Sequence, residues 1–256
     1  MEGTMIRLKD YAPIVGEKTL EQIRDEASAL YGKQVVHINS TYYGGGVAEM
    51  LNSLVPLFNE MGIETGWRVL KGKPDFFTIT KKFHNALQGD AINLSHMKKR
   101  IYQKVNQVNA TFSHIKHHDC IIVHDPQPLP IIQYYRKTQP WLWRCHIDLS
   151  HPNRELWNYL SQFINRYDKV IVSKKTFMQD LDIPQEVIYP SIDPLSPKNE
   201  ELRDAVIDKY LSKFGIEQDK PIVSQISRFD KWKDPVGVIR AFKQVRKRVD
   251  CRLVLL

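Results

Sequence analysis

The sequence predicts an α/β protein whose larger, first part is a Rossmann-like, doubly wound parallel sheet. Three observations carry this. Short apolar runs of strand type alternate with helical patterns through residues 34–190, an order that produces parallel strands joined by crossover helices. Polar clusters fall at or just past the ends of three of those runs: Asn39-Ser40-Thr41, His124-Asp125 and His146-Ile147-Asp148. Three consecutive glycines, Gly44, Gly45 and Gly46, join the first run to the helix behind it.

In chain order, residues 1–33 read as an extension holding one helix (LEQIRDEASAL) stopped by Gly32. Gln34 to Asn39 is the first strand. From Val47 the apolar residues Met50, Leu51, Leu54, Val55, Phe58 and Met61 recur at three and four, the mark of a helix with one apolar face. Residues 63–70 read as a strand, 74–89 as short helices and loop, and 95–112 as a helix with Ser95 as its N-cap. Strands are expected at 119–123, 141–147, 169–172 and 186–189, with helices at 129–137 and 153–167. The first domain therefore covers 34–190. Residues 191–199, within PSIDPLSPKN, form a linker. Residues 200–256 begin a second sheet of the same kind: helix, PIVSQI strand, helix from Pro235, then the strand CRLVLL. A parallel strand that apolar is buried on both faces, so the chain is expected to end inside a domain of a longer natural protein.

Composition narrows the classes. A hydrophobic fraction of 42% and an aromatic fraction of 10% are enough for a sizeable core. The net charge of +8 suits an anionic partner. No nucleic-acid module is present, and the one basic cluster, KQVRKR at 243–248, falls on a helix face exposed to solvent. No apolar stretch approaches 18 residues, which argues against a membrane span. Cys120, Cys145 and Cys251 are isolated in apolar runs with no CxxC pair. They read as free thiols in a reducing compartment, the cytoplasm.

A strand, a glycine loop and a helix start aim free N–H groups at an anion. Taken alone, Gly44–Gly46 fits a phosphate or sugar site and a plain turn equally well, and it is neither GxGxxG nor a Walker loop. Arg228 and Lys233 stand five apart in a loop leading to a helix. Two cations so placed hold a diphosphate, though an ordinary basic loop looks the same. His146 fits a core histidine, Asp125 before Pro126 a turn, and Asp148 a helix cap. Trp141, Trp143 and Trp157 read as core. His117 and His118 lack a carboxylate at ligand spacing and read as surface.

SRFDKWKDP resembles the diphosphate loop of retaining nucleotide-sugar glycosyltransferases with two Rossmann-like domains, the GT-B type. Together with HINSTYYGGGVAEML, FHNALQG, HDPQP, WRCHIDLS and YPSIDPLS, the chain is similar to the glycosyltransferring trehalose synthases and, in the same stretches, to the retaining trehalose phosphorylases. The resemblance spans nearly the whole chain. It implies a GT-B fold and reversible transfer of glucose from an NDP-glucose donor to free glucose, giving α,α-trehalose. It implies that Gly44, Gly45 and Gly46 contact the donor phosphates and the reacting sugar. Arg228 and Lys233 become the diphosphate cations, and His146 the histidine beside the transferred glucose. Asp125, Arg144 and Asp148 become hydroxyl-binding groups; His84 and Asn85 fall in a family-like segment without an assigned role. No cofactor or metal is expected, since the two cations supply the charge, and no carboxylate nucleophile: the departing diphosphate itself helps deprotonate the acceptor. A homodimer is a further implication; nucleic acid and membrane are not expected partners. The family's second domain carries a glutamate pair and a nucleoside pocket, and neither is found before Leu256. A non-catalytic sugar- or anion-binding remnant is the rival of another class.

Overall fold

The computed structural model describes residues 6–256. The chain divides into two compact units, one reaching Leu195 and the other running from Ser196 to Leu256.

The first unit is a six-stranded, wholly parallel sheet. Its elements are α1 (Glu17–Ser28), β1 (Gln34–Asn39), α2 (Gly46–Glu60), β2 (Glu64–Val69), α3 (Pro74–Leu87), α4 (His96–Phe112), β3 (Cys120–His124), β4 (Trp141–Cys145), α5 (Arg154–Ile164), β5 (Lys169–Val172) and β6 (Gln185–Val187). The strand order is β2-β1-β3-β4-β5-β6.

Side chains along a strand alternate between faces, and the two faces bury different sets. Val36, Ile38, Ile121, Val123, Trp141, Trp143 and Cys145 pack with Phe76, Phe83, Tyr102, Leu160 and Phe163 from α3, α4 and α5. The alternate residues Val35, Cys120 and Ile122 pack with Ala27, Phe58 and Met61 from the α1 and α2 side. The sheet is thus covered on both faces, as a doubly wound fold requires. Trp141 and Trp143 are fully buried, as expected of core residues. Cys120, Cys145 and Cys251 are all unpaired.

Ser95 caps α4 by accepting from the Lys98 N–H at 3.5 Å, and Asn153 caps α5 by accepting from Leu156 at 3.2 Å. Two expectations change. Residues 74–87 form one continuous helix rather than short pieces: Phe76, Ile79, Phe83 and Leu87 are all buried on one side, and that burial outweighs the β-branched and aromatic residues between them. Leu129–Tyr134 is a 3₁₀ turn, not a helix through 137. Pro128 and Pro130 remove two N–H donors there.

Before the sheet, Tyr11 Oη donates to Asp193 Oδ1 at 2.9 Å, while Ser53 Oγ from α2 donates to Asp193 Oδ2 at 2.6 Å. Burial and the Asp193 carboxylate raise the Tyr11 hydroxyl to about 12. The second unit holds α6 (Asp204–Lys213), β7 (Ile222–Gln225), α7 (Pro235–Val245) and β8 (Arg252–Leu255), with β7 and β8 parallel. Among the described residues no helix is long and apolar enough to cross a membrane.

Candidate active site

The strand order reverses direction between β1 and β3. The chain leaves β1 for β2 on one side and β3 for β4 on the other. In open parallel sheets, ligands bind beyond the carboxyl ends of the strands at this point. Asn39 ends β1, His124 ends β3, and His146 follows the last residue of β4. The three predicted clusters therefore meet at one end of the sheet.

The loop after β1 is shaped by its own polar side chains. Asn39 Nδ2 donates to the Thr41 carbonyl at 2.8 Å, and Trp67 Nε1 donates to Asn39 Oδ1 at 2.9 Å. Thr41 Oγ1 donates to the Tyr43 carbonyl at 2.7 Å. Gly44 has φ 69°, and Gly45 has φ 112° and ψ 153°. Gly45 is the N-cap of α2 and brings no side chain to it, which leaves the first-turn N–H groups open to an anion or a sugar oxygen. The glycines separate by conformation. Gly45→Ala is expected to destabilise the protein by about 1–3 kcal/mol, because this backbone region is essentially reserved for glycine. Gly46→Ala lies in the helix with open space around its Cβ, so it leaves the melting temperature within a degree or two. Melting curves of the two variants check both.

Asp125 sits at φ 61°. Its Oδ1 accepts the His146 main-chain N–H at 2.8 Å, its own N–H donates to the Arg144 carbonyl at 2.9 Å, and its carbonyl accepts Trp143 Nε1–H at 3.0 Å. Asp125 is only partly exposed. Burial raises its carboxyl to about 6, against the opposing pull of the His146 N–H and the Arg144 cation. Asn tolerates positive φ and keeps an oxygen for His146. Asp125→Asn is therefore expected to raise the melting temperature at pH 7, where the raised carboxyl is ionised at a cost in the folded chain.

Arg144 is buried, with Nη1 donating to the Val172 carbonyl at 3.0 Å and Nη2 to the Ile188 carbonyl at 2.6 Å. It ties β4 to the ends of β5 and of the segment after β6. Asp148 is exposed, and its Oδ1 accepts the Ser150 N–H at 2.8 Å. The following helix is capped by Asn153 instead. In the second unit, Arg228 is exposed and pairs with Asp230 at 3.2 Å. Lys233 ends a short 3₁₀ turn whose start is capped by Asp230, and its carbonyl accepts Gln225 Nε2–H at 2.6 Å. Lys233 itself is exposed.

His146 is half-buried, and among the described residues its ring pairs with another histidine, not with backbone. Its Nε2 lies 2.9 Å from Nδ1 of His124, and His124 Nε2 lies 2.9 Å from Nδ1 of His37. The rings are near parallel, at centroid distances of 5.3 and 5.2 Å. Burial lowers His37 to about 4. Burial and the nearby Arg144 cation lower His146 to about 3, and burial above all drives His124 well below its ordinary value. Reading the sequence missed His37. A signal existed: three strands each carry a histidine at or near the carboxyl end, in VVHIN, IIVHD and WRCHI.

Solved structures share this architecture. An α,α-trehalose 6-phosphate synthase from Burkholderia multivorans superposes with TM-score 0.58 at 14% identity, covering 88% of this chain and 63% of that one. The fold is of the GT-B class. Residues 37–179, more than half of the chain, match the family described as "Trehalose synthase, N-terminal domain", and the chain belongs to that family. It is 46% identical to a trehalose synthase of Pyrococcus horikoshii over 95% of its length and 59% of the relative's, and 39% identical to one of Rubrobacter xylanophilus over 97% and 62%. A trehalose phosphorylase of Grifola frondosa is 27% identical over 94% and 38%. The chain thus spans about 60% of the trehalose synthases it matches.

Proposed function

We propose that this chain supplies the acceptor side and the first part of the diphosphate site of a retaining glucosyltransferase that forms α,α-trehalose from NDP-glucose and glucose, reversibly. The observation that carries this reading is identity of 39–46% to trehalose synthases along almost the entire chain. Identity to trehalose phosphorylase falls to 27%, which favours the nucleotide sugar over glucose 1-phosphate.

In this reading the α2 start, with Gly44, Gly45 and Gly46, receives donor phosphate and the reacting sugar, and His146 lies beside the transferred glucose. Asp125 and Asp148 bind hydroxyls, as does Arg144 through the guanidinium donors not spent on Val172 and Ile188. Arg228 and Lys233 hold the diphosphate as it departs. Rate acceleration comes from positioning and charge stabilisation, with the diphosphate itself helping to deprotonate the acceptor hydroxyl. No resident metal or cofactor takes part. The enzyme works in the cytoplasm and pairs with a second copy of itself.

The reverse reaction tests this in the full-length protein. Trehalose with ADP, UDP or GDP is expected to yield free glucose and a nucleotide sugar. Consumption of trehalose with inorganic phosphate, and not with any nucleoside diphosphate, would make it a phosphorylase. Saturable trehalose or glucose binding with neither reaction would make it a sugar-binding remnant.

A further inference from the structure

The three histidines form a staircase that the strand registers create. Asn39 in β1 stands level with His124 in β3, by extension of the Ile38–Val123 pair, and His124 pairs with Arg144 in β4. His37 lies two residues before the first level and His146 two residues beyond the second. A step of two preserves the face of a strand, so all three rings rise along one side of the sheet, across its point of reversal, toward the carboxyl ends.

A neutral imidazole carries one N–H and one lone pair. With all three rings neutral, two ring-to-ring bonds leave just two self-consistent arrangements. In one, His37 Nδ1–H donates to His124, His124 Nδ1–H donates to His146 Nε2, and the last proton sits on His146 Nδ1. In the other every bond reverses, and the last proton sits on His37 Nε2. That atom is buried and has no hydrogen-bond partner among the described residues. A buried N–H without an acceptor is rarer than an under-used acceptor. Chain direction is thereby biased outward, toward His146, which is the most exposed of the three.

We propose that His124, stacked on His37, is a positioning residue that fixes His146 as its Nδ1–H tautomer, so that His146 offers a ring N–H donor, not an acceptor, to an oxygen beyond the end of β4. That this oxygen belongs to a sugar hydroxyl rests on the function proposed above; the tautomer does not.

Long-range ¹H–¹⁵N correlation spectra of the protein labelled with ¹⁵N-histidine, at pH 7 and without ligand, read the tautomer directly. Loss of one ring's signals in His146→Asn assigns them. The expected result is a protonated Nδ1 and an unprotonated Nε2 on His146 as the majority tautomer. His124→Phe, or His124→Leu if the larger ring does not fold, removes the ring that donates to His146 Nε2 and should bring the two His146 tautomers toward equal populations, whereas His37→Phe leaves His124 Nε2 as the buried end of the chain and should keep the Nδ1–H form. A His146 protonated on Nε2, an even mixture in the unaltered protein, or a tautomer unmoved by loss of His124 would overturn the proposal. The spectrum is independent of turnover: a protein that makes no trehalose yet shows the expected tautomer contradicts only the transferase reading.

Discussion

Arg228→Ala in the full-length protein is expected to slow trehalose formation about 10²- to 10³-fold, the range for removing one preorganised group from a developing negative charge. Melting should hardly change, because the exposed guanidinium pairs with Asp230 at the surface, and such surface pairs contribute about 0–1 kcal/mol. Lys233→Ala should act in the same direction, through the same diphosphate. Arg228→Lys keeps the charge but not the planar fork, and should recover only part of the rate. Near-normal turnover in both alanine variants would remove the diphosphate role from this loop.

The second large effect is acid lability of the sheet. Unfolded, the three staircase imidazoles titrate near 6.5. Folded, His37 and His146 are held down to about 4 and about 3, and His124 well below its ordinary value. Between pH 7 and about 4 the unfolded chain therefore binds more protons, so this contribution is present at neutral pH and lost on acidification. Asp125 has the opposite sign. Its folded value is raised from 3.8 to about 6, so between pH 6 and 4 the folded chain binds its proton and one imidazole is offset. About two protons remain near pH 5, or roughly 3 kcal/mol per pH unit. Urea unfolding at pH 7, 6 and 5, followed by fluorescence of buried Trp141 and Trp143, should show a steep loss. His37→Phe should flatten the slope by about one proton. A stability unchanged from pH 7 to 5 would contradict the buried neutral rings.

The sheet was legible because its strands are apolar runs bounded by turn residues, and because parallel strands buried on both faces need no alternation to be recognised. Ser95 and the glycine loop were legible for local reasons, a cap and a positive φ. What escaped depends on distant partners. The helix over 74–87 is held by burial of Phe76 and Phe83, which its mixed propensities obscure. The resemblance makes Arg144 a hydroxyl-binding group, yet its reach to Val172 and Ile188 depends on how the ends of β5 and the segment after β6 lie beside it. The staircase depends on strand order and register. A histidine near the end of each of three strands is visible in sequence, but their stacking requires that β1, β3 and β4 be neighbours.

The central claim, a glucosyl transfer from a nucleotide sugar to glucose, is tested most directly by ¹H NMR of the full-length protein with glucose and each of ADP-, UDP- and GDP-glucose. The account predicts the anomeric signal of α,α-trehalose from at least one nucleotide sugar and none from glucose 1-phosphate. Trehalose formed from glucose 1-phosphate alone would contradict it.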